Sequence, residues 1–151
     1  MGRQFHFLET TTSTMDVARD LAAGGAPEGT TVIAGTQQSG RGRLGRTWFS
    51  PEGSLAMSVI LRPAADEIRF LPAVSSLAVL NTLLRLGVHA RIKWPNDVLI
   101  NGKKVCGILV ENQMEAGQIL FSVVGIGVNV ELDLRKFPEI AEIATSVSAH
   151  V

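Results

Sequence analysis

Apolar and polar residues alternate along much of this chain and give way in two places to a helical spacing. Residues 4–9 alternate enough for a short first strand, which the polar run Thr10, Thr11, Thr12, Ser13, Thr14 interrupts. Ser13 and Asp16 have the spacing of a capping box, so a helix is expected from Thr14 to Ala23, with Gly24 and Gly25 ending it. Thr30–Thr36 predicts a second strand, and Leu55–Leu61, closed by Arg62-Pro63, predicts a third. Between Pro72 and Leu86, residues Val74, Leu77, Ala78, Val79, Leu80, Leu83 and Leu84 cover more than one helical face. This predicts a central buried helix, with Pro72 in its first turn and Gly87 at its stop. Asn101-Gly102 between two β-rich runs predicts a hairpin in which Asp97–Ile100 and Lys103–Glu111 pair antiparallel, bringing Asp97 and Lys104 onto one ribbon. Gln118–Val130 is expected as a further strand, where Gly125 and Gly127 mark close approach of a backbone or a ligand. Its apolar runs, like Ile108–Val110, point to a sheet covered on both faces. Leu132–Val151 shows neither a clear stop nor a packing partner, and there are no internal repeats.

The stretch Gln37–Trp48 fits neither period. Here Arg41, Arg43 and Arg46 alternate with Gly40, Gly42 and Gly45. Guanidinium groups present a planar fork of donors suited to phosphate or carboxylate, and glycines let the backbone fold closely around such a group. Without an anion the three charges repel one another, so the loop is expected to be mobile when empty and ordered when filled. The same residues suit a solvated basic turn or a patch for nucleic acid. Ser13 and Thr14 fall at a helix amino terminus, which favours an acceptor-rich ligand as well as simple capping.

Composition narrows these choices. Lys+Arg and Asp+Glu number 14 each, so the formal charge is zero and the positive charge is local. That argues against a phosphate-backbone binder and fits a small anionic ligand. The absence of a G-x-x-x-x-G-K-[ST] run sets aside a P-loop nucleotidase. Cys106 is the single cysteine, which precludes an internal disulfide, favours a reducing, cytoplasmic setting, and reads as a small buried hydrophobe. The amino terminus has no run suited to a signal peptide, and no later stretch is expected to span a membrane.

Taken together, S-T-M at residues 13–15, G-R-G-R-L-G-R-T-W from Gly40, K-W-P-N-D from Lys93, K-K-V-C-G-I-L-V-E from Lys103 and G-I-G-V-N from Gly125 resemble the catalytic module of a biotin protein ligase. The resemblance covers about Ser13 to Asn129. It implies an α+β fold of the class II aminoacyl-tRNA synthetase-like, biotin/lipoate ligase type: a mixed, mainly antiparallel sheet with a buried central helix. It further implies ATP-dependent activation of biotin to biotinyl-5′-adenylate with Mg2+, then transfer to a lysine of a biotin carboxyl carrier protein domain. Under that resemblance Ser13, Thr14, Met15 and Gln37 line the biotin pocket, and Gly107 lies against biotin. Arg41, Gly42 and Arg43 belong to the loop that wraps the adenylate, Arg46 lies just beyond it, and Gly40, Arg46, Trp48, Lys93, Asn96 and Asn129 join the cofactor-binding set. Lys104, Arg41 and Arg43 supply catalytic charge, Asp97 is the base for the acceptor lysine, and Lys103 is a solvated neighbour. No side chain is assigned to the metal. Residues 1–151 are expected to be one catalytic domain, incomplete at the carboxyl terminus, without the small β-barrel or an amino-terminal DNA-binding domain. A homodimer is allowed; nucleic-acid and membrane partners are not expected. A lipoate or octanoate ligase of the same fold, a biotin-binding fragment without turnover, and a nucleic-acid module remain as alternatives.

Overall fold

The computed structural model describes residues 4–151, so the first three residues of the expected domain and of the stretch tested for a signal peptide lie outside the described residues. Seven strands form one sheet: β1 (Phe5–Thr11), β2 (Thr31–Gln37), β3 (Ser54–Leu61), β4 (Arg91–Lys93), β5 (Asp97–Ile100), β6 (Lys103–Glu115) and β7 (Gln118–Asn129), in the order β1-β2-β3-β7-β6-β5-β4. β1 and β2 pair parallel across the helix that joins them, and every other pairing is antiparallel. The mixed sheet is therefore as expected, with the short edge strand β4 added. The Asn101-Gly102 turn has φ of 51° and 82° at its two residues, the positive pair that a two-residue hairpin needs. Ala116-Gly117, with φ of 48° and 77°, makes a second such turn, which carries β6 four residues beyond its expected end.

Two helices cover opposite faces. α1 (Thr14–Ala23) packs Met15, Ala18 and Ala22 with Val32, Ile60, Phe121 and Val123, whereas Leu83 of α2 (Leu71–Arg85) joins Val98, Val105, Ile108 and Val124. Val123 and Val124 are neighbours on β7, and neighbouring strand residues point to opposite faces, so the sheet separates two apolar cores.

Four expectations are corrected. α2 is not a buried central helix: it buries Ser76 and Leu83 but leaves Val74 and Leu77 61% and 50% exposed. Its apolar residues surround more of the helix than one sheet face can cover. Against the expectation that no later stretch would qualify, the helical segment Ile68–Arg85 is by length and composition apolar enough to cross a membrane, although here its inner side rests on the sheet. The segment after Leu132 does have a packing partner. Lys104 N–H donates to the Ile143 carbonyl at 2.8 Å, Thr145 N–H donates to the Lys104 carbonyl at 2.9 Å, and Ala144–Val147 are buried. Finally, Ser13 caps α1 by accepting from the Met15 N–H at 3.3 Å, but Asp16 does not reach back to complete a capping box, because its carboxylate is drawn to two arginines.

Candidate active site

A cleft opens on the α1 side of the sheet, enclosing about 460 Å³ of free space with its open mouth included. Its floor is made by strands that lack side chains where the cleft lies. A Cβ on Gly107 would stand 2.9 Å from the Trp48 ring and 3.1 Å from Lys104 Cε; one on Gly127 would collide with the Trp48 indole, and one on Gly125 with Met15 Sδ. The glycines at 107, 125 and 127 therefore let Trp48, Met15 and the stem of Lys104 lie flat on β6 and β7. Of these contacts the sequence showed the need for close approach at Gly125 and Gly127, but not what approaches.

One wall is the amino terminus of α1. Gln37, at the end of β2, accepts through Oε1 from the Thr14 N–H at 2.8 Å and from Thr14 Oγ1 at 3.1 Å, and Thr14 Oγ1 meets the buried Ser58 hydroxyl at 2.8 Å. A free helix N–H is thus satisfied by a side chain far away in sequence, and Ser13, Thr14 and Gln37 become one polar corner of the cleft with Met15 beside them.

At the other end, Lys104 Nζ lies 2.7 Å from Asp97 Oδ1 and 5.3 Å from the centroid of the Trp48 ring. Simple alternation would not put these groups together. Asp97 is directly opposite Gly107, but the β5–β6 register shifts between Val98 and Leu99, leaving Val105 as an extra residue on β6. That bulge moves Lys104 onto the face of Gly107, while Lys103 is exposed with Nζ 3.3 Å from the Ala141 carbonyl. Cys106 is buried beneath, where burial pushes its thiol up to about 12, and it does not line the cleft.

The arginine loop folds over the mouth as a tight turn. Gly42 N–H donates to the Arg46 carbonyl at 2.7 Å and Trp48 N–H to the Gly40 carbonyl at 2.9 Å, with Leu44 and Gly45 at φ 58° and 72°. Arg43 Nη1 donates to Asn96 Oδ1 at 2.9 Å, and the Asn96 amide in turn donates to the Ile108 carbonyl at 3.0 Å. Arg41 behaves differently. Its Nη1 reaches both oxygens of Asp16 at 3.0 Å, and its Nη2 reaches Glu111 at 3.3 Å. Arg19 closes the set, 3.0 Å from Asp16 and 2.9 Å from Glu111. The Arg41 hydrogen bond holds the Asp16 carboxyl below the usual carboxylate range. The expectation that without an anion the three charges only repel one another is therefore corrected at Arg41, whose carboxylate partners lie 25 and 70 residues away and leave no local signal.

The cleft brings together Ser13, Thr14, Met15, Gln37, Arg41, Gly42, Arg43, Trp48, Asn96, Lys104 and Gly107, with Asp97 against Lys104. Gly40, Arg46, Lys93 and Asn129 do not line it. Gly40 is buried under the Trp48 backbone, Arg46 and Lys93 are exposed, and buried Asn129 donates to the Thr145 carbonyl at 3.0 Å. Ala56, Met57, Ile108, Leu109 and Ile126 line it as well, apolar positions that looked like ordinary core in the sequence. Among the described residues no three His, Cys, Asp or Glu side chains are grouped to hold a metal ion.

A sequence model described as "Biotin/lipoate A/B protein ligase family" matches residues 7–129. The bifunctional ligase/repressor BirA of Bacillus subtilis (strain 168) is 42% identical over 98% of this chain and 47% of its own length. The biotin–[acetyl-CoA-carboxylase] ligase of Paracoccus denitrificans is 41% identical over 66% of the chain and 43% of its own. The chain thus spans about half the length of these curated relatives. Among solved structures, biotin protein ligase from Leishmania major in complex with biotinyl-5-AMP superposes with a TM-score of 0.81 at 30% identity, covering 99% of this chain and 65% of that one. The Aquifex aeolicus enzyme in complex with biotin and ATP gives 0.73 at 31% identity, covering 98% and 61%.

Proposed function

This chain belongs to the biotin/lipoate A/B protein ligase family, and from that premise we propose that it activates biotin with magnesium-ATP and passes the biotinyl group to a lysine of a biotin carboxyl carrier domain. The observation that carries the reading is the Lys104–Asp97 pair set beside Arg43 in a cleft whose floor is glycine. Support comes also from the ligands of similar enzymes, biotinyl-5-AMP in one and biotin with ATP in another.

In the first step an oxygen of the biotin carboxylate attacks the α-phosphorus, the bond to the β-phosphate oxygen breaks, and pyrophosphate leaves with that electron pair. Two anions must meet, so fixed positive charge is needed where they do, and Lys104 and Arg43 are the cations that line the cleft without being held between two carboxylates. Magnesium would come with the nucleotide and would supply positive charge to its phosphates. Ser13, Thr14 and Gln37 offer the polar corner for the ureido ring, and Met15 and Leu109 the apolar surround. In the second step a lysine amine attacks the acyl carbon and AMP leaves. That amine has a pKa near 10.4 in water, so it must first lose a proton, and the Asp97 carboxylate is the acceptor at the cleft.

A single-turnover reaction of the chain with biotin and α-labelled magnesium-ATP tests this. Labelled biotinyl-adenylate is expected, and lipoate in place of biotin is expected to give little product. Lipoyl-adenylate formed at an equal rate, or no biotin product at all, would overturn the assignment.

A further inference from the structure

We infer that Ser58, which does not line the cleft, is a positioning residue for it: its buried hydroxyl fixes the hydroxyl of Thr14, and with it the edge that the polar corner turns toward a cyclic urea. Ser58 is fully buried in β3, opposite Val32 of β2 on one side and Gly125 of β7 on the other. Val32, Ile60 and Val123 belong to the apolar core beneath α1 on this face. A hydroxyl in such a place costs free energy unless it is hydrogen-bonded, and its partner is Thr14 Oγ1 at 2.8 Å.

The direction of each bond follows from the count of donors. The Thr14 N–H can only donate, so the Gln37 atom 2.8 Å away must be the amide oxygen, Oε1. Thr14 Oγ1 stands 3.1 Å from that same oxygen, which only accepts, so Thr14 spends its one hydroxyl proton there. Ser58 is therefore the donor in the remaining contact. The chain of bonds runs in one sense, from Ser58 through Thr14 to Gln37, and ends in the cleft. Oε1 already takes two donors, which leaves the Gln37 amide nitrogen to donate to a ligand, while Thr14 Oγ1 keeps one lone pair to accept. A donor beside an acceptor matches the carbonyl and N–H of a urea, and the dithiolane ring of lipoate offers neither group. Thr14 needs an outside contact to hold this arrangement, because threonine in a helix divides between two side-chain rotamers and Thr14 is the first residue of α1. The Gln37 contact comes from a flexible side chain, whereas the Ser58 hydroxyl is fixed in the middle of the sheet.

The test uses the full chain in two arms. Without ligand, the three-bond NMR couplings of Thr14 Cγ2 to its own amide nitrogen and carbonyl carbon report the side-chain rotamer. A single rotamer is expected in the parent and an averaged pair of couplings in Ser58→Ala. With ligand, calorimetry measures biotin and dethiobiotin, which share the urea, and adenylate formation at saturating biotin gives the KM for magnesium-ATP. Ser58→Ala is expected to bind both urea compounds about fivefold more weakly, the usual loss of one neutral hydrogen bond, with the KM for magnesium-ATP unmoved. Ser58→Cys, a weaker donor of similar size, is the second variant, and a smaller loss is expected from it. In a Thr14→Val background Ser58→Ala is expected to cost less than about twofold, because the hydroxyl it orients is gone. A loss of equal size in both backgrounds, a matching rise in the KM for magnesium-ATP, or a Thr14 rotamer that stays single in Ser58→Ala overturns the assignment. The binding arm rests on the function proposed above, whereas the coupling arm does not. A parent chain that binds no biotin therefore counts against the proposed reaction, and the couplings still decide whether Ser58 orients Thr14.

Discussion

Replacing Gly127 with alanine probes the packing on which the cleft floor depends. Gly127 lies on β7 directly opposite Gly107 on β6, and the Trp48 indole spans both. A methyl at 127 would overlap the indole at Nε1 and Cε2 and stand 2.8 Å from Cζ2. The methyl would rise from the sheet directly beneath the indole, which lies across both glycines with the Lys104 stem near Gly107. The ring must lift away from the sheet. If about 100 Å² of its surface returns to water, the loss is about 2.5 kcal/mol at roughly 25 cal/mol per Å². Reduced backbone freedom of the unfolded chain offsets about 0.5 kcal/mol of that. A net cost of about 2 kcal/mol is in the range for overpacking, and for a domain of this size it lowers Tm by roughly 4–8 °C. Equilibrium urea unfolding measures the cost. Tryptophan emission reports the lift, since Trp94 is already 71% exposed and a red shift must come mainly from Trp48. The control is the same substitution in a Trp48→Ala background, where the clash is gone and the cost should shrink below about 0.5 kcal/mol. An equal cost in both backgrounds would refute the reasoning and place the strain in the β7 backbone.

Lys104→Ala should lower the rate of biotinyl-adenylate formation by about two to three orders of magnitude, while Lys103→Ala leaves it within about twofold, measured in single-turnover reactions. The reverse ranking would mean that the β5–β6 bulge aims the other lysine at the cleft. Cys106 gives a pH dependence of definite sign. Its folded pKa, about 12, lies above the ordinary value of 9.0, so the unfolded thiol loses its proton first; the fold keeps this contribution below pH 9 and loses it as pH rises from about 9 toward 12. The urea midpoint of the parent should therefore fall more steeply across that window than that of Cys106→Ala, and parallel slopes would contradict a buried neutral thiol. Asn129→Ala leaves the Thr145 carbonyl without its donor and should cost about 1–3 kcal/mol in urea unfolding, with faster hydrogen exchange at residues 143–148. Parent-like exchange there would show that the terminal segment is held by other contacts.

Local pattern alone determined much of this protein. Strand periodicity, the Ser13 cap, the Asn101-Gly102 turn and the glycines of β7 each depend on neighbours within a few residues, so most strands, α1 and the β5–β6 hairpin could be read directly, whereas the mixed sheet came with the family resemblance. The motifs around Gly40, Lys93 and Lys103 carried the family in the same way. Tertiary structure decided what depends on distance in space. The resemblance pointed to Lys104 rather than Lys103, but the means is a bulge of one residue on β6, because side-chain direction in a strand reverses with every residue. Asp16 and Glu111 took the charge of Arg41, an ion-pair set assembled from a helix, a loop and a strand that no local window contains. Burial was also beyond the pattern. The apolar run of α2 shows what the helix can bury, but the one sheet face it meets covers Ser76 and Leu83 and leaves Val74 and Leu77 in solvent.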